Sequence, residues 1–300
     1  MFKNYCIKAC IGAIACLSLL HGCGTTTNSP QADVQTDAMS QSMTSLKITI
    51  LPDNSSGDRL TKIESLKQYL TTELNIPVQI AIAPDYDSAV TQLVAGSVDM
   101  AYLGPLTYIE AKEKNPTLEP LVAPIDQNSG RPWYTSIIVG TANIKTLEEI
   151  KGKRFGFVNE SSTSGFLVPN HQFKLMGIDP QADFAAVLYG EAHDKNLQLL
   201  LDGKVEAIAI DQATYLTALK SGKLDPNKYH LIWESAPITN PPIVISGNVP
   251  TPIKLQIKKA LVNAPPGLVS ISVSDAAGYT IIEDADYQLI RDLYKAQQDN

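Results

Sequence analysis

The chain has 300 residues, 44 % of them hydrophobic and 18 % charged, with a formal net charge of −7. That composition describes a soluble globular protein with enough apolar residues for one or two domains. Its acidic balance argues against a nucleic-acid partner and leaves no basic patch for lipid head groups.

Lys3 and Lys8 precede an uncharged apolar run, Ala9 to Leu20, whose twelve residues fall short of the roughly 20 that a membrane span needs. The run closes on Leu20-His21-Gly22-Cys23, which resembles the cleavage box of bacterial lipoprotein signals. Residues 1–22 therefore read as a secretory signal outside the fold, with Cys23 as mature N-terminus and site of lipid attachment. Cys6, Cys10 and Cys16 fall in the signal, and no cysteine follows Cys23. The exported body is expected to hold without disulfides, and a thiolate metal site or catalytic cysteine is excluded. Residues 23–45, rich in Thr, Ser, Gln and Ala without a hydrophobic period, read as a flexible tether. Loss of the signal removes two lysines and no acid, taking the net charge from −7 to −9. Any bound anion must then be held by a local set of donors.

Leu46, Ile48 and Ile50 alternate with polar neighbours and predict a half-buried strand, broken at Pro52-Asp53-Asn54. Ile63, Leu66, Leu70 and Leu74 recur at helical spacing. Val78, Ile80 and Ile82 predict a second strand, which turns out through Ala83-Pro84-Asp85-Tyr86. A short helix over Ser88–Ala95 leads through Gly96 to a strand ending at Leu103, and Gly104-Pro105 starts another helix. This β-α-β-α-β-α order predicts a doubly wound α/β layer. After a strand at Trp133–Val139 the pattern begins again. A short helix ends at Gly152, a strand covers Arg154–Val158, and a helix covers Gly165–Met176. Ala185–Leu188, Asp194–Leu201, Ala207–Ile210 and Gln212–Leu219 predict strand, helix, strand, helix. Strands at Tyr229–Trp233 and Ile243–Ile245, a helix from Pro252 to Asn263 and a last one over Tyr287–Gln298 complete the chain.

The second layer sits inside the first, which predicts two lobes joined by two crossings, placed near Ser136–Thr141 and Ile238–Val244. Residues 46–138 and 243–300 form the expected lobe 1, and residues 139–242 the expected lobe 2. Ligands of open α/β sheets bind beyond the carboxyl ends of strands, here facing one another across a cleft.

One stretch carries chemistry. Asn159-Glu160-Ser161-Ser162-Thr163-Ser164-Gly165 lies between a predicted strand and a predicted helix. First-turn N–H groups without helical partners, the helix dipole and three hydroxyls together make an anion cradle. Taken alone, an ordinary N-cap accounts for it better.

Together with Ala83-Pro84-Asp85-Tyr86, Leu103-Gly104-Pro105, Tyr134-Thr135-Ser136 and Gly190-Glu191-Ala192-His193-Asp194, the run Ser162-Thr163-Ser164-Gly165-Phe166-Leu167-Val168-Pro169 resembles the phosphonate and phosphite binding proteins of bacterial ATP-driven (ABC) importers. The resemblance covers Leu46 to the C-terminal helix. It implies an α/β, two-lobed periplasmic binding protein fold, type II-like, with ligand in the interlobe cleft. It also implies delivery to an ABC permease in the inner membrane, with no cofactor. Carried over position by position, the oxyanion contacts fall on Tyr86, Tyr134, Ser162, Thr163, Ser164 and His193. His193, if protonated, would add the only mobile positive charge. For the two tyrosines, core packing is the plain alternative in a chain with twelve of them; for His193 it is a capping or buried histidine.

Relatives that take aminoalkyl phosphonates read the ammonium with carboxylates, at places that fall beside Ala213 and at Pro241. Neither is acidic, and an unpaired buried ammonium is costly. The expected ligand is therefore compact: phosphite first, then methylphosphonate or phosphate. Asp211 is a further candidate, accepting a proton from a singly protonated oxyanion or standing as a solvated strand-end acid. Ser162, His193 and Asp211 also supply the residue types of a hydrolase. However, no Gly-x-Ser-x-Gly elbow and no metal-like spacing is present, so the chain is not expected to be an enzyme or to hold a metal. An input domain of a membrane sensor would share the fold. The protein is expected to be a periplasmic, lipid-anchored monomer.

Overall fold

The computed structural model describes residues 43–52, 57–127, 129–265, 267–268 and 276–299. The expected signal, Cys23 and the tether as far as residue 42 lie outside them. The first half alternates strand and helix as β1 (Leu46–Ile50), α1 (Gly57–Leu74), β2 (Val78–Ile82), α2 (Tyr86–Val94), β3 (Met100–Tyr102), α3 (Pro105–Lys114) and β4 (Glu119–Asp126). A short strand β5 (Trp133–Tyr134) leads to β6 (Ser136–Thr141), a 3-10 turn, β7 (Arg154–Phe157) and a π-helical turn (Thr163–Leu167). Then follow α4 (Val168–Leu175), α5 (Pro180–Asp183), β8 (Ala186–Tyr189), α6 (His193–Leu201), β9 (Ala207–Asp211), α7 (Gln212–Lys220) and β10 (Tyr229–Glu234). The chain returns through β11 (Ile238–Thr239) to β12 (Ile243–Ile245), α8 (Thr251–Val262), β13 (Ala276–Ile281), a second 3-10 turn and α9 (Gln288–Gln298).

These strands form two mixed sheets, ordered β13-β4-β12-β3-β1-β2 and β10-β6-β9-β7-β8. In the first, β1 pairs in parallel with β2 and β3, while β12, β4 and β13 add antiparallel neighbours. In the second, β7 lies parallel to β8 and β9, and β6 and β10 are antiparallel. Each sheet has apolar side chains buried on both faces. Leu46, Ile48 and Ile50 pack with α1 and α8 on one side of the first sheet, and Ala101 and Val244 with α2, α3 and α9 on the other. In the second sheet, Phe155, Phe157 and Ala209 bury one face against Phe166 and Phe173, while Ile208 and Ile210 bury the other against α6 and α7. Covering both faces is what parallel strands require.

The link between the sheets differs from expectation. Ser136–Thr141 is not a crossing but β6, an interior strand of the second sheet. The connection is a separate ribbon in which β5 pairs antiparallel with β11, Tyr134 opposite Ile238 and Trp133 opposite Thr239. The strand expected as one run from Trp133 to Val139 is thus divided at Thr135. Asn240, just past the ribbon, donates its backbone N–H to Pro132 O and its Nδ2 to Pro124 O, both at 2.8 Å. Its own carbonyl accepts from the Tyr287 hydroxyl at 2.8 Å. Buried hydrogen bonds of this kind fix where the chain passes between the sheets.

Candidate functional site

A small cavity of about 70 Å³ opens between the two sheets. All seven residues named from the sequence line it: Tyr86, Tyr134, Ser162, Thr163, Ser164, His193 and Asp211. Leu51, Pro52, Arg59, Tyr102, Gly104 and Pro241 complete the wall. Ala213, the other place inspected for an acid, does not line it.

Helix starts supply much of this wall. Tyr86 is the first residue of α2, whose N-cap Asp85 accepts from Ser88 N at 2.7 Å. Gly104 is the N-cap of α3, Ser162 the N-cap of the π-helical turn, His193 the first residue of α6 and Asp211 the N-cap of α7. The positive ends of several helix dipoles therefore gather around one volume.

The hydroxyl run does not start an ordinary α-helix. Ser162 Oγ accepts from Gly165 N at 3.1 Å, and the residues beyond it form a π-helical turn before α4 begins at Val168. Such turns are uncommon and occur often at functional positions. Gly165 is required there, because a Cβ would stand 2.4 Å from Val158 Cγ2. Phe166 anchors the turn in the lobe 2 core, edge-on to Phe157 at 5.0 Å. Ser136 Oγ donates to Ser164 O at 2.6 Å.

Tyr134 comes from the connecting ribbon. Desolvation pushes its phenol well above the ordinary value; the Ser164 hydroxyl opposes this, the Asp211 charge adds to it, and the Thr163 hydroxyl opposes it again. The phenol therefore stays protonated and available as a donor at neutral pH.

His193 is held by Asp211 through two contacts. The Asp211 backbone N–H donates to Nδ1 at 3.0 Å, which assigns the ring proton to Nε2, 3.5 Å from Asp211 Oδ2. With Nδ1 taken by that backbone donor, the ring has Nε2 left to donate. Asp211 Oδ1 meanwhile accepts from Thr214 N at 2.6 Å. One of its oxygens caps α7 and the other faces the imidazole.

Sequence reasoning missed Arg59. It is buried in the cavity wall at 4 % exposure, in the first turn of α1, with Nη2 donating to Leu51 O at 3.0 Å. A signal existed, since a cation in a first helical turn faces the unfavourable end of the dipole.

Two bonds join the lobes beside the cavity. Leu106 N, in α3, donates to Thr163 Oγ1 at 2.8 Å, and Ser161 Oγ donates to Glu110 Oε1 at 3.1 Å. Burial pushes the Glu110 carboxyl up to about 7; the Ser161 hydroxyl and Lys114 oppose the shift, and Asp87 and Glu113 add to it. The folded state holds this proton more tightly than the unfolded chain. Its stabilising contribution is full below the ordinary carboxylate value and is lost as pH rises towards about 7. Glu110→Gln is expected to stabilise the protein by on the order of 2 kcal/mol at about pH 8 and hardly at all at about pH 4. Thermal melts at both pH values check this, and equal shifts would show that burial of the charge is not the cause.

No group of three or more His, Cys, Asp or Glu side chains suited to a metal occurs among the described residues.

Three comparisons bear on this site. The model of a family described as ABC transporter, phosphonate, periplasmic substrate-binding protein matches residues 48–287. The phosphate-import protein PhnD of Mycolicibacterium smegmatis is 28 % identical over 233 residues, 74 % of this chain and 71 % of that protein. The probable ABC transporter phosphite binding protein PhnD1 of Prochlorococcus marinus is 24 % identical over 202 residues, 63 % of this chain and 65 % of that protein. The solved structure of PhnD1 from Prochlorococcus marinus in complex with methylphosphonate is similar in fold. It gives a TM-score of 0.77 at 19 % identity and covers 85 % of this chain and 98 % of that one.

Proposed function

The chain belongs to the family of periplasmic substrate-binding proteins of phosphonate ABC transporters, and from that premise we propose that its cavity captures a compact phosphorus oxyanion, phosphite first. It is a substrate-binding component of phosphonate or phosphate import and not an enzyme. The observation that carries the reading of the site is convergence. Tyr86, Tyr134, Ser162, Thr163, Ser164, His193 and Asp211 come from widely separated segments and share the wall of one cavity. In the proposed complex, the hydroxyls of Ser162, Thr163 and Ser164 and the phenols of Tyr86 and Tyr134 donate to the ligand oxygens. His193 donates through Nε2, and Asp211 accepts from a protonated ligand oxygen. Charge-assisted bonds to an oxyanion are stronger than neutral ones.

The preference for a small ligand is supported by the cavity volume of about 70 Å³ and by Pro241 in its wall. A proline offers an ammonium no partner. Relatives named for phosphate and phosphite import, and one solved with methylphosphonate, point to the same size of ligand. Binding proceeds by closure: a ligand that touches both lobes stabilises the closed form through contacts the open form lacks. Lobe 1 is taken as residues 46–138 with 243–300 and lobe 2 as residues 139–242, with residues 23–45 tethering a monomer to the membrane through lipid on Cys23.

Calorimetric titrations with phosphite, methylphosphonate, phosphate and aminoethylphosphonate test the ligand. Tight phosphite binding without an aminoethylphosphonate signal is the expected result. A preference for aminoethylphosphonate would mean that Asp211 reads an ammonium and would overturn the phosphite assignment.

A further inference from the structure

The cavity must attract an anion in a chain whose net charge is −7. Among the described lining residues there is one carboxylate, Asp211, and a single Lys or Arg, Arg59. The Asp211 backbone N–H occupies His193 Nδ1 at 3.0 Å, which leaves the ring Nε2 as a donor. The remaining lining donors are hydroxyls, phenols and peptide N–H groups, all neutral. Any fixed positive charge facing the ligand therefore sits on Arg59.

Its position carries two costs. Removing a guanidinium from water costs several kcal/mol before compensation, and α1 presents its positive dipole end to the same side chain. Arg59 is nevertheless buried in this wall. The Leu51 carbonyl at the end of β1 accepts from Nη2 at 3.0 Å and fixes the plane of the group. A guanidinium carries five donors in a rigid fork that matches the oxygens of a phosphorus oxyanion. A bound anion would add to the contacts this side chain already makes.

We propose that Arg59 is a ligand-binding residue, the fixed cation that completes the oxyanion site from the lobe 1 side. The hydroxyl cradle, His193 and Asp211 lie on the lobe 2 side, so a ligand between them and Arg59 draws the lobes together. This rests on reading the cavity as the oxyanion site.

The test uses the full chain with phosphite. Arg59→Gln, folded by circular dichroism, is expected to weaken binding by about 100-fold or more, from lost bonds to a charged group. Arg59→Lys, which keeps the charge and loses the fork, should recover part of that loss, within about tenfold of wild type. A second readout does not depend on a variant that folds poorly. The chain has four arginines, Arg59, Arg131, Arg154 and Arg291, so guanidinium NMR signals of the wild type are few, and Arg59→Lys assigns the one of interest. Phosphite should shift the Arg59 signal. Wild-type binding without that shift, or with Arg59→Gln matching wild type, would overturn the role of Arg59 and leave the site reading intact. A wild type that binds none of the phosphorus oxyanions would overturn the site reading, and this proposal with it.

Discussion

Replacing Thr163 and Ser164 together by alanine is expected to weaken binding of the phosphorus oxyanion by about 100-fold to 10,000-fold. The range comes from two hydrogen bonds to a charged group, at about 1.5–3 kcal/mol each. Thr163 contributes in a second way. Its Oγ1 accepts from Leu106 N across the gap between lobes at 2.8 Å, so its removal leaves a buried N–H without an acceptor in the closed form. Leaving such a donor unsatisfied costs about 1–3 kcal/mol. Thr163→Ser keeps the oxygen and should stay within a few-fold of wild type, while Thr163→Val keeps the shape and should not. Calorimetry on the three variants separates hydroxyl chemistry from packing. A double alanine variant that binds as tightly as wild type would remove the hydroxyl run from the site.

Gly190→Ala is expected to destabilise the protein by several kcal/mol and to impair binding without touching any residue assigned to the ligand. A Cβ there would stand 2.6 Å from both the N and Cα of Asn196, atoms of the α6 backbone that no rotamer change can move aside. Strain of this kind costs about 1–3 kcal/mol when the surroundings can shift and more when they cannot. Here they are held. Gly190 N donates to Phe157 O at 2.9 Å, and Glu191 N donates to Val158 O at 2.7 Å with Glu191 itself at φ 64°. Asn196 Nδ2 ties α6 to Gly156 O and Ala209 O at 2.9 and 2.8 Å. Pushing α6 outward would pull His193 from the Asp211 backbone donor. The expected result is a lower melting temperature together with a lower affinity. A melt and an affinity both equal to wild type would show that the loop yields more easily than its bonds imply.

Much of this protein can be read from its residue order. The periodic segments became elements close to their expected bounds, β1, β2, α1 and α8 among them, because each has one apolar spacing and clear stops. The two longest strands that went unread did so for a physical reason. β4 contains Pro120 and Pro124, which cannot donate to a ladder and argue against an interior strand. Yet β12 and β13 flank it, with register shifts between Ile243 and Val244 and between Ala276 and Gly278. Gly and Ala weaken the signal of β13, whose identity comes from its pairing with β4.

The π-helical turn was also hidden. Ser162-Thr163-Ser164-Gly165 reads as a helix start in either geometry, and its contact with Val158, whose N–H donates to Gly165 O at 3.0 Å, exists only in the fold. Asp211 read equally as a solvated acid or a ligand group. Its two oxygens take separate tasks only because β9 ends beside α6.

By itself the sequence determined the α/β class, the alternation of strands and helices and the hydroxyl run, since these follow from local spacing, turn chemistry and residue type. It also offered seven of the residues that line the cavity, through a family pattern rather than a force between neighbours. Only the tertiary structure decided that the starts of α1, α2, α3, α6, α7 and the π-helical turn meet at one small volume. Only there does Arg59 become a buried cation in the cavity wall instead of a solvated side chain at the start of a helix. Charge, burial and hydrogen-bond partners depend on distance in space, and chain order does not specify that distance until the sheets have packed.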